Sequence, residues 1–413
     1  MKIRITPPES IQATIQLPSS KSISNRALII NALANGTSQP ENLSDCDDTQ
    51  VMIRALKAQP GETIDIMAAG TAMRFLTAYL SVTPGDRIIT GTERMKQRPI
   101  KVLVDALREL GAHIEYVEKE GFPPLRIQGC KLTQSSISLP GNISSQYISA
   151  LLMIAPTLEN GLTITLTGDI VSRPYIDLTL KLMKDFGAEA SWANDKELKV
   201  EPKPYRPTAY SIENDWSAAS YWYEIVALMQ DAKVSLPGLL TNSYQGDSKV
   251  ATFFTLMGAG THYMKNGISL FKPIMKEISQ ATHVNINFTD QPDLAQTFVV
   301  ACALQNTTFR FIGLQSLKIK ETDRIAALIR EMRKLGYVLH EANDSILYWN
   351  GERCEPSGEA IDTYEDHRMA MAFAPASIIY PGLCINDPHV VSKSYPHYWD
   401  DLRAAGFTIE EEE

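Results

Sequence analysis

An α/β protein made of about six repeated β/α units is what this sequence predicts, and three observations carry the prediction. One pattern recurs along the chain: an amphipathic helix, a glycine, then a short alternating strand. Its copies run over 104–116 around Gly111, 178–192 around Gly187, 251–264 around Gly260, 328–341 around Gly336 and 400–409 around Gly406. Between these copies lies a second class of helix, apolar on most sides and rich in small residues, over 24–34, 71–80, 145–154, 216–229, 294–304 and 368–379. Finally, 413 residues, of which 44% are hydrophobic and 21% charged, suffice for a large buried core in two or three domains.

Each element has a physical reason. The opening residues, Met1-Lys2-Ile3-Arg4-Ile5-Thr6, alternate in the manner of a strand. The repeat glycines lie 70–76 residues apart, by subtraction of their positions, each where a helix end takes a left-handed residue before the chain turns into a strand. Helices apolar on most sides belong inside a domain, and the glycine-ended class, with its charged face, belongs outside. The first unit is shortened: after its outer helix, 51–58, the chain passes Pro60-Gly61 and reaches Ile64-Asp65-Ile66 and the next inner helix at once. A strand or hairpin present in the other units is missing there. Six units divide most simply into two similar halves, and the polar stretch Pro202-Lys203-Pro204-Tyr205-Arg206-Pro207 is a candidate link between them.

Composition excludes several function classes. A formal net charge of −9 argues against a general nucleic-acid or acidic-membrane binder, so any bound anion must be met by a local cluster of cations. The five cysteines, Cys46, Cys130, Cys302, Cys354 and Cys384, are scattered without CxxC spacing and read as reduced packing residues. The N-terminus lacks the apolar core of a signal peptide, and no run approaches the roughly eighteen apolar residues of a spanning helix, so the cytoplasm is the expected compartment.

The chemistry is carried by cations in turns that lead into helices. Lys320-Glu321-Thr322-Asp323-Arg324 sets carboxylates among cations at the start of an apolar-periodic segment, a pattern suited to anion binding and to proton transfer. Lys21, Arg26, Arg74, Arg98, His367-Arg368 and Lys393 occupy similar junctions. A cation in a first helical turn opposes the helix dipole, at about 0.3–1 kcal/mol, unless an anion lies there. Local pairing with Glu321, Asp323, Glu365 or Asp366 is the plainer alternative for some of them, but Arg26, Arg74 and Arg98 lack so obvious a neighbour. Pro18-Ser19-Ser20-Lys21-Ser22 and Gly70-Thr71-Ala72-Met73-Arg74 each combine hydroxyl, backbone amide and cation at a helix start, which suits a phosphate or carboxylate and equally a plain cap. Ser144-Ser145-Gln146 and Ser172-Arg173-Pro174-Tyr175 offer polar groups to a hydroxyl-bearing ligand, while Asp293, at the head of its inner helix, has capping as its default role.

Together with Arg94-Met95-Lys96-Gln97-Arg98-Pro99 and Asp366-His367-Arg368-Met369-Ala370-Met371, these motifs resemble, in order and from Pro18 to Leu402, the 5-enolpyruvylshikimate-3-phosphate synthase family. The resemblance implies an inside-out α/β barrel of two domains with three units each: an inserted domain of 21–212 on the shikimate 3-phosphate side, and a discontinuous domain of 1–20 and 213–413 on the phosphoenolpyruvate side. It implies transfer of the enolpyruvyl group of phosphoenolpyruvate to the 5-hydroxyl of shikimate 3-phosphate with release of phosphate, and no metal or organic cofactor. Lys21, Gly70, Arg98, Gln146, Arg324, Arg368 and Lys393 are then expected at phosphoenolpyruvate. Lys21, Ser22, Arg26, Ser144, Ser145, Gln146, Ser172, Tyr175, Asp293, Ser316 and Lys320 are expected at shikimate 3-phosphate. Asp293, Glu321 and Lys21 become the catalytic groups, and a monomer is the family's expected state.

This sequence departs from the family pattern at three places. Ala68 and Ser316 stand where Asn is common, and Phe75 stands where Pro is common, which bears on where the helix after Gly70 begins. Gly70 matches the glyphosate-sensitive form, so inhibition by glyphosate is expected. The nearest rival is the sister enzyme that uses UDP-N-acetylglucosamine, which typically has Lys-Asn in place of Lys21-Ser22 and a cysteine near the position of Arg98. A non-catalytic anion sensor of the same fold is the other alternative, and it would be expected to lose Asp293 or Glu321, both present here.

Overall fold

One strand connectivity recurs through the chain, which a computed structural model describes over residues 1–273 and 281–412. In it, a strand leads through a buried helix to a parallel neighbour, and an exposed-face helix then leads into an antiparallel hairpin that extends the same sheet. The chain divides into two compact units, Met1–Pro18 with Glu213–Glu413, and Ser19–Ile212.

In the unit Ser19–Ile212, one sheet runs Thr63–Asp65, Gly85–Thr90, Leu125–Gly129, His113–Tyr116, and another runs Ser136–Pro140, Leu162–Thr167, Glu197–Val200, Ala190–Asn194. The first pair of each sheet is parallel and the rest antiparallel. The apolar helices Lys21–Leu33, Gly70–Val82 and Ser145–Ile154 pack on one another. The helices Lys101–Glu109 and Arg173–Asp185 bury one face each and end at Gly111 and Gly187, whose φ of +108° and +87° turn the chain into the hairpins. The first helix pair, Lys21–Leu33 and Asp47–Ala55, has only a parallel bridge between Glu41 and Ser211, and no strand lies between Ala55 and Thr63. The stretch 202–207 is not the link between units. It lies inside this one, where Tyr205 is buried with its hydroxyl donating to the Met153 carbonyl (2.9 Å) and the Arg206 amide donating to the Phe186 carbonyl (2.8 Å). The crossings instead follow Pro18 and Ile212.

The other unit repeats the connectivity with Ile11–Thr14, Ala232–Pro237, Gly267–Phe271, Gly260–Met264, and again with His283–Asn287, Thr308–Ile312, Ile346–Trp349, His340–Ala342. Its third sheet has three strands, and the N-terminal strand Lys2–Thr6 is the middle one, antiparallel to Leu383–Asn386 and Thr408–Glu412 with Ile3 and Ile5 buried. The helices Trp216–Leu228, Ala295–Leu304 and His367–Phe373 form the buried layer, and every residue of Ala295–Leu304 is buried. Two sequence expectations are corrected here. The left-handed residue after the third outer helix is Gly258 (φ +75°), because that helix, Val250–Thr255, ends early; Gly260 opens a strand, where the Phe271 ring leaves no room for a Cβ. The helix expected over 368–379 stops at Phe373 and continues as a tighter turn, Ala374–Ile378, since Pro375 has no N–H for the α-helical ladder.

Candidate active site

In the unit that holds both chain ends, three helix starts deliver charges to one cluster and a fourth helix braces it with hydroxyls. Asp323 caps Arg324–Lys334 by accepting from the Ala326 amide (3.0 Å), which makes Arg324 the first helical residue. Asp366 caps His367–Phe373 by accepting from the Arg368 amide (2.9 Å). Asp215 caps Trp216–Leu228, and Asp293 lies in the short turn Pro292–Leu294 that enters Ala295–Leu304.

Arg324 sits at the centre, 1% exposed. Its Nε and Nη2 grip the two oxygens of the fully buried Asp366 at 2.7 and 3.2 Å, a bidentate fork. Nη2 also reaches Glu321 Oε2 at 3.1 Å, and Nη1 reaches Asp293 Oδ1 at 3.1 Å. Asp293 is shared by three cations: Arg324, Lys320 at 3.4 Å from Oδ1, and Arg368 at 3.2 Å from Oδ2. Lys393, which ends the turn Pro388–Lys393, pairs with Glu321 Oε1 at 3.0 Å. Arg368 is braced from the neighbouring helix by the Tyr221 hydroxyl and Ser217 Oγ, each at 3.3 Å.

The electrostatics follow from this geometry. Burial pushes the Asp293 carboxyl up, but the fields of Arg368, Lys320 and Arg324 outweigh it and hold Asp293 well below the usual carboxylate range. Burial lowers the Lys320 ammonium, against which the attraction of Asp293 acts. Burial likewise works against the Arg324 cation, yet Asp366, Glu321 and Asp293 raise its pKa above the ordinary value. The cluster thus presents an ionised carboxylate, Asp293, and a second carboxylate, Glu321, among four cations.

The unit Ser19–Ile212 brings together a different set. Ser20 caps Lys21–Leu33 by accepting from the Ile23 amide (3.4 Å), placing Lys21 at the first turn, 3.5 Å from Asp48. Arg26, one turn on, is 2% exposed and donates to Thr179 Oγ1 (2.7 Å), the Ser22 carbonyl (2.9 Å) and Ser149 Oγ (3.2 Å). Burial brings its pKa down to about 10, opposed by Tyr175. Among the described residues no carboxylate pairs with it. Ser144 caps Ser145–Ile154 by accepting from the Gln146 amide (3.4 Å), and the Gln146 side chain donates to Thr71 (3.2 Å) at the start of Gly70–Val82. Ser172 is buried in the left-handed conformation, φ +55°, ahead of Arg173–Asp185, and its carbonyl accepts from the Tyr175 amide (3.1 Å).

Gly70 allows a close approach of side chains and is not set by its backbone angles. A Cβ there would lie 2.7 Å from both Arg98 Nη1 and Arg74 Nη1. A residue with a side chain there would push the flexible ends of both guanidinium groups away from the helix start. Phe75 does not displace that start, since the Met73 amide already donates to the Ala69 carbonyl (3.1 Å) and the helix runs on through the buried Phe75. Ala68 is exposed just ahead of the helix, and Ser316 is half-buried in the turn Gln315–Ile319.

Several contributors escaped sequence reasoning. Tyr221 and Ser217 stand four apart on one helix face, a spacing visible in the sequence but indistinguishable from core packing. Thr179, Ser149 and Asp48 reach Arg26 and Lys21 only through tertiary contact.

Comparison with known proteins adds the decisive observation: the family model for EPSP synthase (3-phosphoshikimate 1-carboxyvinyltransferase) matches residues 5–66 and 57–402. The chain belongs to the EPSP synthase family. It is similar to a 3-phosphoshikimate 1-carboxyvinyltransferase of Bacteroides fragilis, 64% identical over 410 residues and 99% of each chain. Another of that name, from Vibrio cholerae, is 37% identical over 426 residues, covering 96% of this chain and 98% of the relative. A solved EPSP synthase from Acinetobacter baumannii shares the fold, with a TM-score of 0.80 at 20% identity over 99% of this chain and 100% of the other. As a member of this family, the chain has its mixed α/β fold.

Proposed function

We propose that the chain transfers the enolpyruvyl group of phosphoenolpyruvate to the 5-hydroxyl of shikimate 3-phosphate and releases phosphate, a step of the shikimate pathway toward chorismate and the aromatic amino acids. Family membership makes it a 3-phosphoshikimate 1-carboxyvinyltransferase, and the relatives named above favour neither UDP-N-acetylglucosamine as acceptor nor a sensor without activity. The observation that carries the mechanistic reading is Asp293, ionised and shared by Arg324, Arg368 and Lys320, beside Glu321.

Its architecture is an inside-out α/β barrel of six units, the first shortened, in two domains. The recurrent sheet connectivity supports four complete units, and the three-stranded sheet, with a parallel bridge from Ile361 to Ile385, supports a fifth completed by the N-terminal strand. Shikimate 3-phosphate is assigned to 21–212, through Lys21, Ser22, Arg26, Ser144, Ser145, Ser172 and Tyr175, with Gln146 against its ring and Asp293, Ser316 and Lys320 from 213–413. Phosphoenolpyruvate is assigned to Lys21, Gly70, Arg98, Gln146, Arg324, Arg368 and Lys393, the two arginine forks facing its carboxylate.

In the reaction, Asp293 takes the proton of the 5-hydroxyl as its oxygen attacks C2 of phosphoenolpyruvate, and Glu321 delivers a proton to C3, forming a tetrahedral intermediate. Loss of phosphate, with Lys21 stabilising the developing charge, and removal of a proton from the new methyl restore the double bond. An anionic substrate that engages Arg324 and Arg368 loosens their hold on Asp293 and raises its affinity for a proton, so the base strengthens when the substrate binds.

The test is phosphate release with both substrates, with each alone, and with UDP-N-acetylglucosamine as acceptor. Release that requires shikimate 3-phosphate is the expected result, and release only with the nucleotide sugar overturns the assignment. The reading also places a monomer in the cytoplasm, with no nucleic-acid or membrane partner. Among the described residues no helix is long and apolar enough to cross a membrane.

A further inference from the structure

Arg26 is a buried cation without a carboxylate counter-charge among the described residues. It is 2% exposed, its three hydrogen bonds go to neutral oxygens, and no carboxylate pairs with it among the described residues. Taking a guanidinium out of water costs several kcal/mol in general, so something else must hold it charged and in place. The Phe75 ring does part of this: Arg26 Cζ lies 5.2 Å from its centroid, and the ring is completely buried. The negative face of an aromatic ring attracts a cation, and the attraction is strongest when both are desolvated.

We infer that Phe75 is a positioning residue for Arg26, a platform that fixes the guanidinium and thereby sets the affinity for shikimate 3-phosphate. The inference rests on the assignment of Arg26 to that substrate. Thr179, Ser22 and Ser149 fix the fork by its edge, and the Phe75 face fixes it from the side. Further N–H groups of the fork remain to meet an oxygen of the ligand. Weakening the ring's face lets the guanidinium shift, so binding then includes the cost of re-ordering it.

The test keeps shape constant and changes only the ring's electron density. Phenylalanine, 4-fluorophenylalanine and 3,4,5-trifluorophenylalanine are placed at position 75 of the full chain, and shikimate 3-phosphate binding is titrated by calorimetry without phosphoenolpyruvate. The dissociation constant is expected to rise stepwise along the series, by roughly three- to tenfold at the trifluoro variant. A purely packing role predicts a flat series, because the volume is almost unchanged, and a flat series overturns the inference. Arg26→Lys, measured alongside, separates the two levels. If it weakens binding while the fluorinated series is flat, only the platform role fails. If Arg26→Lys leaves binding unchanged, the ligand assignment and the platform role fail together.

Discussion

Glu224 offers a quantitative test of how this core handles charge. It lies on the buried helix Trp216–Leu228, is 0% exposed, and among the described residues neither carboxyl oxygen has a hydrogen-bond partner. Burial raises its pKa well above 4.5, and the neighbouring titratable groups, Cys302 and Tyr398, are themselves pushed upward chiefly by burial. Glu224 is therefore a neutral acid in the folded protein and a carboxylate in the unfolded one. The unfolded state binds fewer protons, so stability is full below about pH 4.5 and falls as pH rises above it, at about 1.4 kcal/mol per pH unit. Glu224→Gln keeps the shape and removes the titration. Any constant effect of the buried amide cancels when slopes are compared. The difference in stability, variant minus parent, is expected to grow by about 1.4 kcal/mol per unit from pH 5 upward, or about 3 °C in Tm for a domain of roughly 200 residues. Scanning calorimetry of both proteins from pH 5 to 8 reads this directly. Parallel Tm curves across that range would refute the claim that Glu224 stays protonated.

Other consequences follow from the site. Gly70→Ala sets a Cβ 2.7 Å from Arg98 Nη1 and Arg74 Nη1; the guanidinium ends swing away, so KM for phosphoenolpyruvate is expected to rise roughly tenfold or more with little change in Tm. An unaltered KM would remove Gly70 from the site. The parent protein is expected to be inhibited by glyphosate and the Gly70→Ala variant much less, as read from paired inhibition curves. Glu321→Gln is expected to lower kcat by about 10²-fold or more, and near-normal turnover would sink the proton-transfer role of Glu321. Arg324→Lys replaces a bidentate fork by a point charge and leaves Asp366, fully buried, partly unpaired. The expected cost is about 3–5 kcal/mol of stability together with a large loss of kcat/KM, measured by urea unfolding and steady-state kinetics.

Most elements and the raw material of the chemistry are legible in neighbouring residues. Helix starts are local events: Ser20, Asp215, Asp323 and Asp366 each accept from a backbone amide two or three residues on. The cations that follow three of those caps, Lys21, Arg324 and Arg368, could therefore be placed in first turns from the sequence. Periodicity likewise separated buried helices such as Ala295–Leu304 from one-faced ones such as Arg324–Lys334. Partners and pairings arise only when the chain folds, because they join residues that have no relation along the chain. Arg324 meets Asp366 and Asp293 across 42 and 31 positions, and Arg26 meets Thr179 across 153. The first strand pairs with the last, Lys2 opposite Glu412, closing a sheet that neither end could form alone. The Gly258 turn shows the same limit at short range: two glycines stand two residues apart, and whether the helix ends before the first or the second depends on how far packing supports it, since propensity distinguishes them only weakly. Local hydrogen bonding is written in neighbouring letters, whereas burial sums contributions from the whole chain.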